Sequence, residues 1–305
     1  MPVPFRHPPL LVSLATRTLQ VDEPAFDVGR TFAHQNLGPY DPTAVHTDHA
    51  FTKVHHDAEG RVVRHTLRAA GGRVEIECDG EAGSDPLAHW ERVLPPTDGL
   101  HAFAAGHPAL LRLLKAYPAL RIVAVPWMFD VAAGVVLQQK VRWREAASQF
   151  RRIAERWGRR TELGLAFPEA QRVAKLGPYR LQGLGIDHKR AETLVRLARA
   201  QAQRGFLDPA TDRDALRARL LRIPGVGPWT AEMIAGFGAG DPDAVPVGDL
   251  GLPGLVGGAL ADEPGADDAR MLELLEPYRG QRFRVVRLLW SVPFGAAARF
   301  RKGLA

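Results

Sequence analysis

Residues 220–235 read LLRIPGVGPWTAEMIA, and this stretch decides how most of the chain is read. Gly225 and Gly227 flank a single valine, with Pro224 before the first and Pro228 after the second. Glycine permits positive φ and close backbone approach, and proline suits the first position of a helix. The segment therefore reads as helix, tight hairpin, helix, with Ile223 and Val226 pinning the hairpin to the core. In such a hairpin the backbone N–H groups and the start of the second helix point outward together. That makes a phosphate site indifferent to base sequence. Gly-Val-Gly alone is equally a plain helix–helix turn, so its surroundings have to decide between the two.

Working outward, apolar residues at helical spacing mark 190–202 and 213–221 before the hairpin, and 228–237, 271–275 and 283–290 after it. Further upstream, 107–116 reads as a helix. The stretch 128–157, with Val131, Val135, Val136, Val141, Ala147, Phe150 and Ile153, reads as one helix or two. Strand patterning is nearly absent beyond residue 125. Before it, 10–19, 51–56, 61–68 and 73–78 are strand-like, split by Asp57-Ala58-Glu59-Gly60 and by Gly71-Gly72, and 67–78 has the pattern of a hairpin. Pro95-Pro96-Thr97-Asp98-Gly99 is a strong breaker. The expected fold class is α+β: a small antiparallel-sheet N-terminal domain over 1–100, then an all-α domain over 101–305.

The chain has 305 residues and a formal net charge of +6, which favours a polyanionic partner. Cys78 is the sole cysteine, which rules out an intramolecular disulfide and a four-cysteine zinc or iron–sulfur site. His55-His56 lacks partnering ligands at a credible spacing, and His46 and His49 fall in a loop, so no side-chain metal site is expected. No stretch has the order of a signal peptide and no apolar run is long enough to span a bilayer. The expectation is an intracellular, cytoplasmic monomer with no cofactor and no membrane partner, associated with the nucleoid if bacterial.

After the hairpin comes Gly236-Phe237-Gly238-Ala239-Gly240-Asp241-Pro242-Asp243-Ala244-Val245-Pro246-Val247-Gly248 and then Asp249. In order and spacing, hairpin, Gly/Pro-rich loop and aspartate resemble the helix-hairpin-helix (HhH-GPD) DNA glycosylases, and within them the 3-methyladenine DNA glycosylase II (AlkA-like) group. VPWMFDVAAGVVLQQKV (125–141), LGIDHKRAETLVRLA (184–198) and EPYRGQRFRVVRLLW (276–290) are similar to other segments of that family. The resemblance covers about residues 120–290. It implies two helical subdomains with the active-site cleft between them, and double-stranded DNA containing damaged bases as the partner.

The chemistry turns on position 229. Glycosylases with a lyase step carry there a lysine that forms a Schiff base. Here the residue is Trp229, and no lysine lies between 190 and 301. The implied reaction is hydrolysis of the N-glycosidic bond without AP-lyase activity. Asp249 is the catalytic candidate, because a carboxylate near the anomeric carbon stabilises positive charge developing on the sugar. It is also a plausible helix cap. Asp241 and Asp243 are rivals that look like turn formers. Trp229 would line the base pocket, where an alkylated, cationic purine stacks on its face. Tyr278 or Phe283 would add a second wall, with Met128, Phe129 and Trp143 as further candidates. DNA contacts are expected from Gly225, Val226, Gly227, Pro228, Thr230, Gln139, Lys140, Arg142, Arg144, Lys189 and Arg190. The resemblance places Gln139-Lys140 at the turn that fills the gap left by a flipped base; the lysine departs from the leucine of the family's bacterial type form, which leaves Lys140 to contact phosphate while Gln138, Gln139 or Val141 does the filling, or the turn as plain surface. It also implies an alkali ion on backbone carbonyls near Ile223 and Val226. The substrate expected is an alkylated base. The other readings are deaminated bases (hypoxanthine or uracil) and a non-catalytic damaged-DNA-binding protein.

Overall fold

The computed structural model describes residues 14–291 apart from 24, 34, 36, 82, 95, 97 and 204. Residues 10–13 of the first expected strand lie outside them; the remainder belongs to β1 (Leu14–Asp22). The short helix α1 (Val28–Phe32) follows, then β2 (Ala44–His46), β3 (Ala50–His56), β4 (Val62–Ala70) and β5 (Arg73–Glu81). These strands form one antiparallel sheet in the order β1-β5-β4-β3-β2. Gly71 and Gly72 close the β4–β5 hairpin with φ of +59° and +76°, which a two-residue loop of this hand requires. β2 is too short to show alternation and was not foreseen.

The register puts Phe51 opposite Leu67 and Leu67 opposite Ile76, giving a buried apolar row on one face. α1 lies on it, with the Phe32 ring stacked 4.9 Å from that of Phe51. From there the chain is helical: α2 (Ala88–Val93), α3 (Pro108–Ala116), α4 (Met128–Leu137), α5 (Trp143–Trp157), then a ribbon of β6 (Arg159–Thr161) and β7 (Gly164–Ala166). After it come α6 (Ala170–Gln182, interrupted at Gly177), α7 (His188–Gln201), α8 (Arg213–Leu221), α9 (Pro228–Phe237), α10 (Leu252–Leu260), α11 (Asp268–Leu275) and α12 (Arg282–Trp290). The expected stretch 128–157 is thus two helices. α10 escaped sequence reading because LPGLVGGAL is poor in intrinsic helix propensity. Packing overrides that deficit: a Cβ on Gly257 would fall 2.2 Å from the Glu263 carbonyl oxygen.

Sheet and helices meet at the start of α4. Trp127, buried, has the rings of Phe51, His55, Trp90 and Phe32 within 5.6 to 6.2 Å. Beside it, the fully buried Lys53 of β3 faces Asp130 of α4 at 3.0 Å and Asp41 at 3.6 Å. Burial alone would push the Lys53 ammonium down, but the two carboxylates outweigh it and hold the pKa above its ordinary value. α4 is therefore fixed to the sheet by an aromatic and an ionic contact, and that orients the turn at its other end. The breaker at 95–99 is tied to α12: the buried Asp98 carboxylate takes Arg284 at 2.7 Å and Arg121 at 2.9 Å.

Candidate functional site

α8 and α9 are joined by the hairpin. Gly225 has φ of +97°, and a Cβ there would lie 2.0 Å from the Thr193 hydroxyl of α7, so backbone and packing each demand glycine. Ile223 and Val226 are buried beneath it. Gly227 is different. Its backbone is extended, and a Cβ on it would meet nothing within 4 Å. Nothing inside the chain asks for glycine at this position. Pro228 is exposed and begins α9, whose N-terminus has no side-chain cap. The first-turn amides of a helix have no intrahelical partner, so this end offers donors outward.

One turn into the chemistry, the Trp229 indole Nε1–H donates to Asp249 Oδ2 at 2.9 Å. Asp249 Oδ1 accepts the amides of Gly251 and Leu252, each at 2.9 Å, which sets the carboxylate at the positive end of α10. Three donors thus fix its orientation. Among the described residues no Lys, Arg or His nitrogen lies within 4.0 Å of it in an ion pair. The two rival aspartates are committed elsewhere. Asp241 is buried and paired with Arg217 and Arg213. Asp243 takes Arg282 and the Gly280 amide; burial would raise its pKa, but the guanidinium holds it below the ordinary carboxylate value. The cleft that holds these pairs is lined by five carboxylates and three guanidiniums, an acidic balance that does not suit a phosphate.

The turn between α4 and α5 reaches the hairpin. Gln139 Nε2 donates to the Gly225 carbonyl at 3.0 Å and to the Thr230 hydroxyl at 2.9 Å. Thr230 is buried, so its side chain ties the turn down rather than facing outward. Lys140 sits at the tip, exposed, with φ of +56°. Arg142, Arg144 and Lys189 are exposed. Arg190 corrects the expectation for it. It is buried and pairs with Asp187 and Glu145, and its Nη1 donates to the Leu137 carbonyl at 2.6 Å and to Gln149 Oε1 at 2.9 Å. With its donors satisfied inside, it cannot grip a phosphate.

The aromatic candidates separate as sharply. Phe283 is fully buried, edge-on to Phe237 at 5.1 Å and pressed against Gly236, so it is core and not a pocket wall. Met128 is also core, its sulfur close to Gly238. Phe129 packs towards Phe167, at 6.2 Å. Tyr278 is half-buried beside Phe103 at 6.2 Å. Trp143, the first residue of α5, is half exposed and edge-on to Tyr40. Two neighbours of Asp249 were missed. Asp268 accepts the Gly248 amide through both oxygens at 3.1 Å and so holds the approach to Asp249; a residue so distant in sequence gave no signal. Leu250, directly after Asp249, is 97% exposed.

Residues 133–276, which include the hairpin, Trp229 and Asp249, match the HhH-GPD superfamily of base excision DNA repair proteins. These residues belong to that superfamily. The chain is 36% identical over 132 residues to DNA-3-methyladenine glycosylase 2 of Escherichia coli (strain K12), covering 42% of this chain and 46% of that protein. It is 34% identical over 151 residues to the probable bifunctional transcriptional activator/DNA repair enzyme AlkA of Mycobacterium tuberculosis, covering 48% of this chain and 30% of that protein. The match therefore spans less than half the length of either relative. The fold as a whole is similar to that of a 3-methyladenine DNA-glycosylase from Archaeoglobus fulgidus, with a TM-score of 0.74, 19% identity, and coverage of 93% of this chain and 99% of that one. It is also similar to an 8-oxoguanine glycosylase/lyase of Clostridium acetobutylicum, with a TM-score of 0.62, 15% identity, and coverage of 91% and 97%. One fold thus serves a glycosylase and a glycosylase/lyase, so the chemistry has to be argued from the HhH-GPD site itself.

Proposed function

We propose that the protein removes alkylated bases, of the 3-methyladenine type, from double-stranded DNA by hydrolysing the N-glycosidic bond. The product is an abasic site on an intact strand. The observation that carries this reading is the Asp249 carboxylate, paired with no cation among the described residues and aimed by the Trp229 indole and two helix-start amides. Breaking the bond builds positive charge on the deoxyribose, and an oriented carboxylate stabilises that charge and positions the attacking water.

The other parts have matching roles. A phosphate approaches the open α9 N-terminus over Gly227 and Pro228, and Lys189, Arg142 and Arg144 add cations nearby. A base inside a duplex is out of reach, so the damaged nucleotide is extruded. Gln139 is already held by the hairpin, which leaves Lys140 as the residue at the turn tip to fill the vacated space. The extruded base stacks on Trp229, and a cationic base gains most from an aromatic face. No amine is available on the hairpin to form a Schiff base, which supports hydrolysis over lyase chemistry. Relatives named DNA-3-methyladenine glycosylase agree with an alkylated base as substrate. The carbonyls of Ile223 and Val226 are hard oxygen donors that suit an alkali cation. Such an ion would brace the hairpin and draw in a phosphate; the steps of base release use Asp249 and Trp229. In this reading the strand-rich unit, 1–100, supports the helical unit, 101–305, whose two helical parts flank the site. The protein acts as a monomer on intracellular DNA.

The test is single-turnover base release from duplexes carrying 3-methyladenine, 7-methylguanine, hypoxanthine or uracil, with borohydride present in parallel. Release of the methylated bases, and no covalent protein–DNA adduct, is expected. Preferential release of uracil or hypoxanthine would overturn the substrate, and a trapped adduct would overturn the hydrolytic step.

A further inference from the structure

Trp143, the first residue of α5, leaves 48% of its surface exposed. The indole is supported from the N-terminal segment. Tyr40 meets it edge-on, with ring centroids 6.1 Å apart and planes at 69°. Gly38, at φ of +63°, passes so close that a Cβ there would lie 3.7 Å from the indole Cη2. The turn at 38–40 thus holds the ring in place without covering it. Next to Trp143 in sequence, Lys140, Arg142 and Arg144 are exposed, and among the described residues none of the three is in an ion pair. The turn preceding it is bound to the hairpin through Gln139. Trp143 therefore follows by four residues the side chain that anchors this turn to the hairpin.

A large aromatic face left in water costs free energy unless something covers it, and three free cations beside it favour a polyanion. A nucleobase presents a flat π-face attached to phosphates, which suits both features. We propose that the Trp143–Tyr40 ledge receives a second nucleobase, the one left unpaired on the opposite strand when the damaged nucleotide is extruded. That base has lost its pairing partner, so an aromatic platform beside the turn tip can hold it. This site rests on the DNA glycosylase reading above. It extends that reading by bringing the N-terminal segment, through Tyr40 and Gly38, into substrate binding.

The test uses a duplex with a tetrahydrofuran abasic analogue and fluorescent 2-aminopurine opposite it. Wild-type protein, Trp143→Leu and Trp143→Phe are compared by emission and by titration. Leucine keeps apolar contact with Tyr40 but removes the platform, and phenylalanine restores one. The wild type is expected to quench the 2-aminopurine. W143L should quench weakly and bind about tenfold more weakly, in line with loss of one stacked base, and W143F should recover most of both. Matching melting temperatures establish that the variants are folded. Quenching and affinity of W143L equal to wild type, or failure of W143F to recover them, would overturn the ledge. A wild type that binds the abasic duplex no better than an undamaged one would overturn the glycosylase reading, and the ledge with it.

Discussion

Asp249, Asp241 and Asp243 share one loop and one side-chain chemistry, and their partners separate them. Arg217 and Arg213 hold Asp241, Arg282 holds Asp243, and an indole and two amides hold Asp249. Asp241→Asn should therefore lower stability without touching the chemistry. Arg217 keeps its two-point pair with Glu232, so the loss is about 1–2 kcal/mol, less than the ~3–5 kcal/mol of a buried pair that loses its partner outright. Thermal melting should show the loss, and base release per folded molecule should stay at the wild-type rate; a loss of release at unchanged stability would move the catalytic role to Asp241. At this scale the sequence was legible where spacing carries the signal: the distance from hairpin to aspartate marked Asp249, and the residue after Gly-Pro marked Trp229. It was not legible where tertiary partners decide. Arg190 follows His188-Lys189 at a helix start and looks like surface, yet Asp187, Glu145, Gln149 and a carbonyl absorb its donors. Phe283 has the same composition signal as a pocket aromatic, and only the Gly236 and Phe237 surfaces against it show that it is core.

At the scale of elements, the turn between α4 and α5 has a feature that sequence could not reveal. Lys140 occupies the left-handed region at φ of +56°, which costs a non-glycine residue roughly 1 kcal/mol. A lysine kept there points to a use for its side chain. Lys140→Gly should therefore leave the melting temperature unchanged or raise it, while weakening binding to abasic duplex by about tenfold and reducing its salt dependence. Unchanged affinity would show that the turn tip does not enter the duplex. Helix and hairpin boundaries around this turn were legible because 3.6-residue spacing and Gly/Pro punctuation are strong there: 213–221 and 228–237 agree with α8 and α9 residue for residue. α10 and β2 were not, since the first is held by packing against Glu263 rather than by propensity, and the second by pairing with β3.

Across the whole molecule, the sheet and the HhH-GPD helices share one core, closed around Trp127. That core contains histidines buried in neutral form. Burial lowers His55 to about 3 and His89 to about 4, and pushes His65 well below its ordinary value. In the unfolded chain each titrates near ~6.5, so below that pH the unfolded state binds more protons. The contribution of neutral burial is complete above about pH 7 and is lost as the pH falls towards 4. Each histidine adds up to ~1.4 kcal/mol of destabilisation per pH unit in that window. Melting temperatures should be level from pH 8 to 7 and fall steadily from pH 6.5 to 4.5; a level profile down to pH 5 would show that these rings already carry charge when folded. The account as a whole depends on Asp249 acting on the sugar. Asparagine at 249 keeps an oxygen for the Gly251 and Leu252 amides, so α10 stays capped while the carboxylate is removed. Single-turnover release of a methylated base by D249N is the most direct measurement. A fall of ~10³-fold or more, with affinity for abasic duplex kept within a few-fold of wild type, is expected. Release at the wild-type rate would contradict the account.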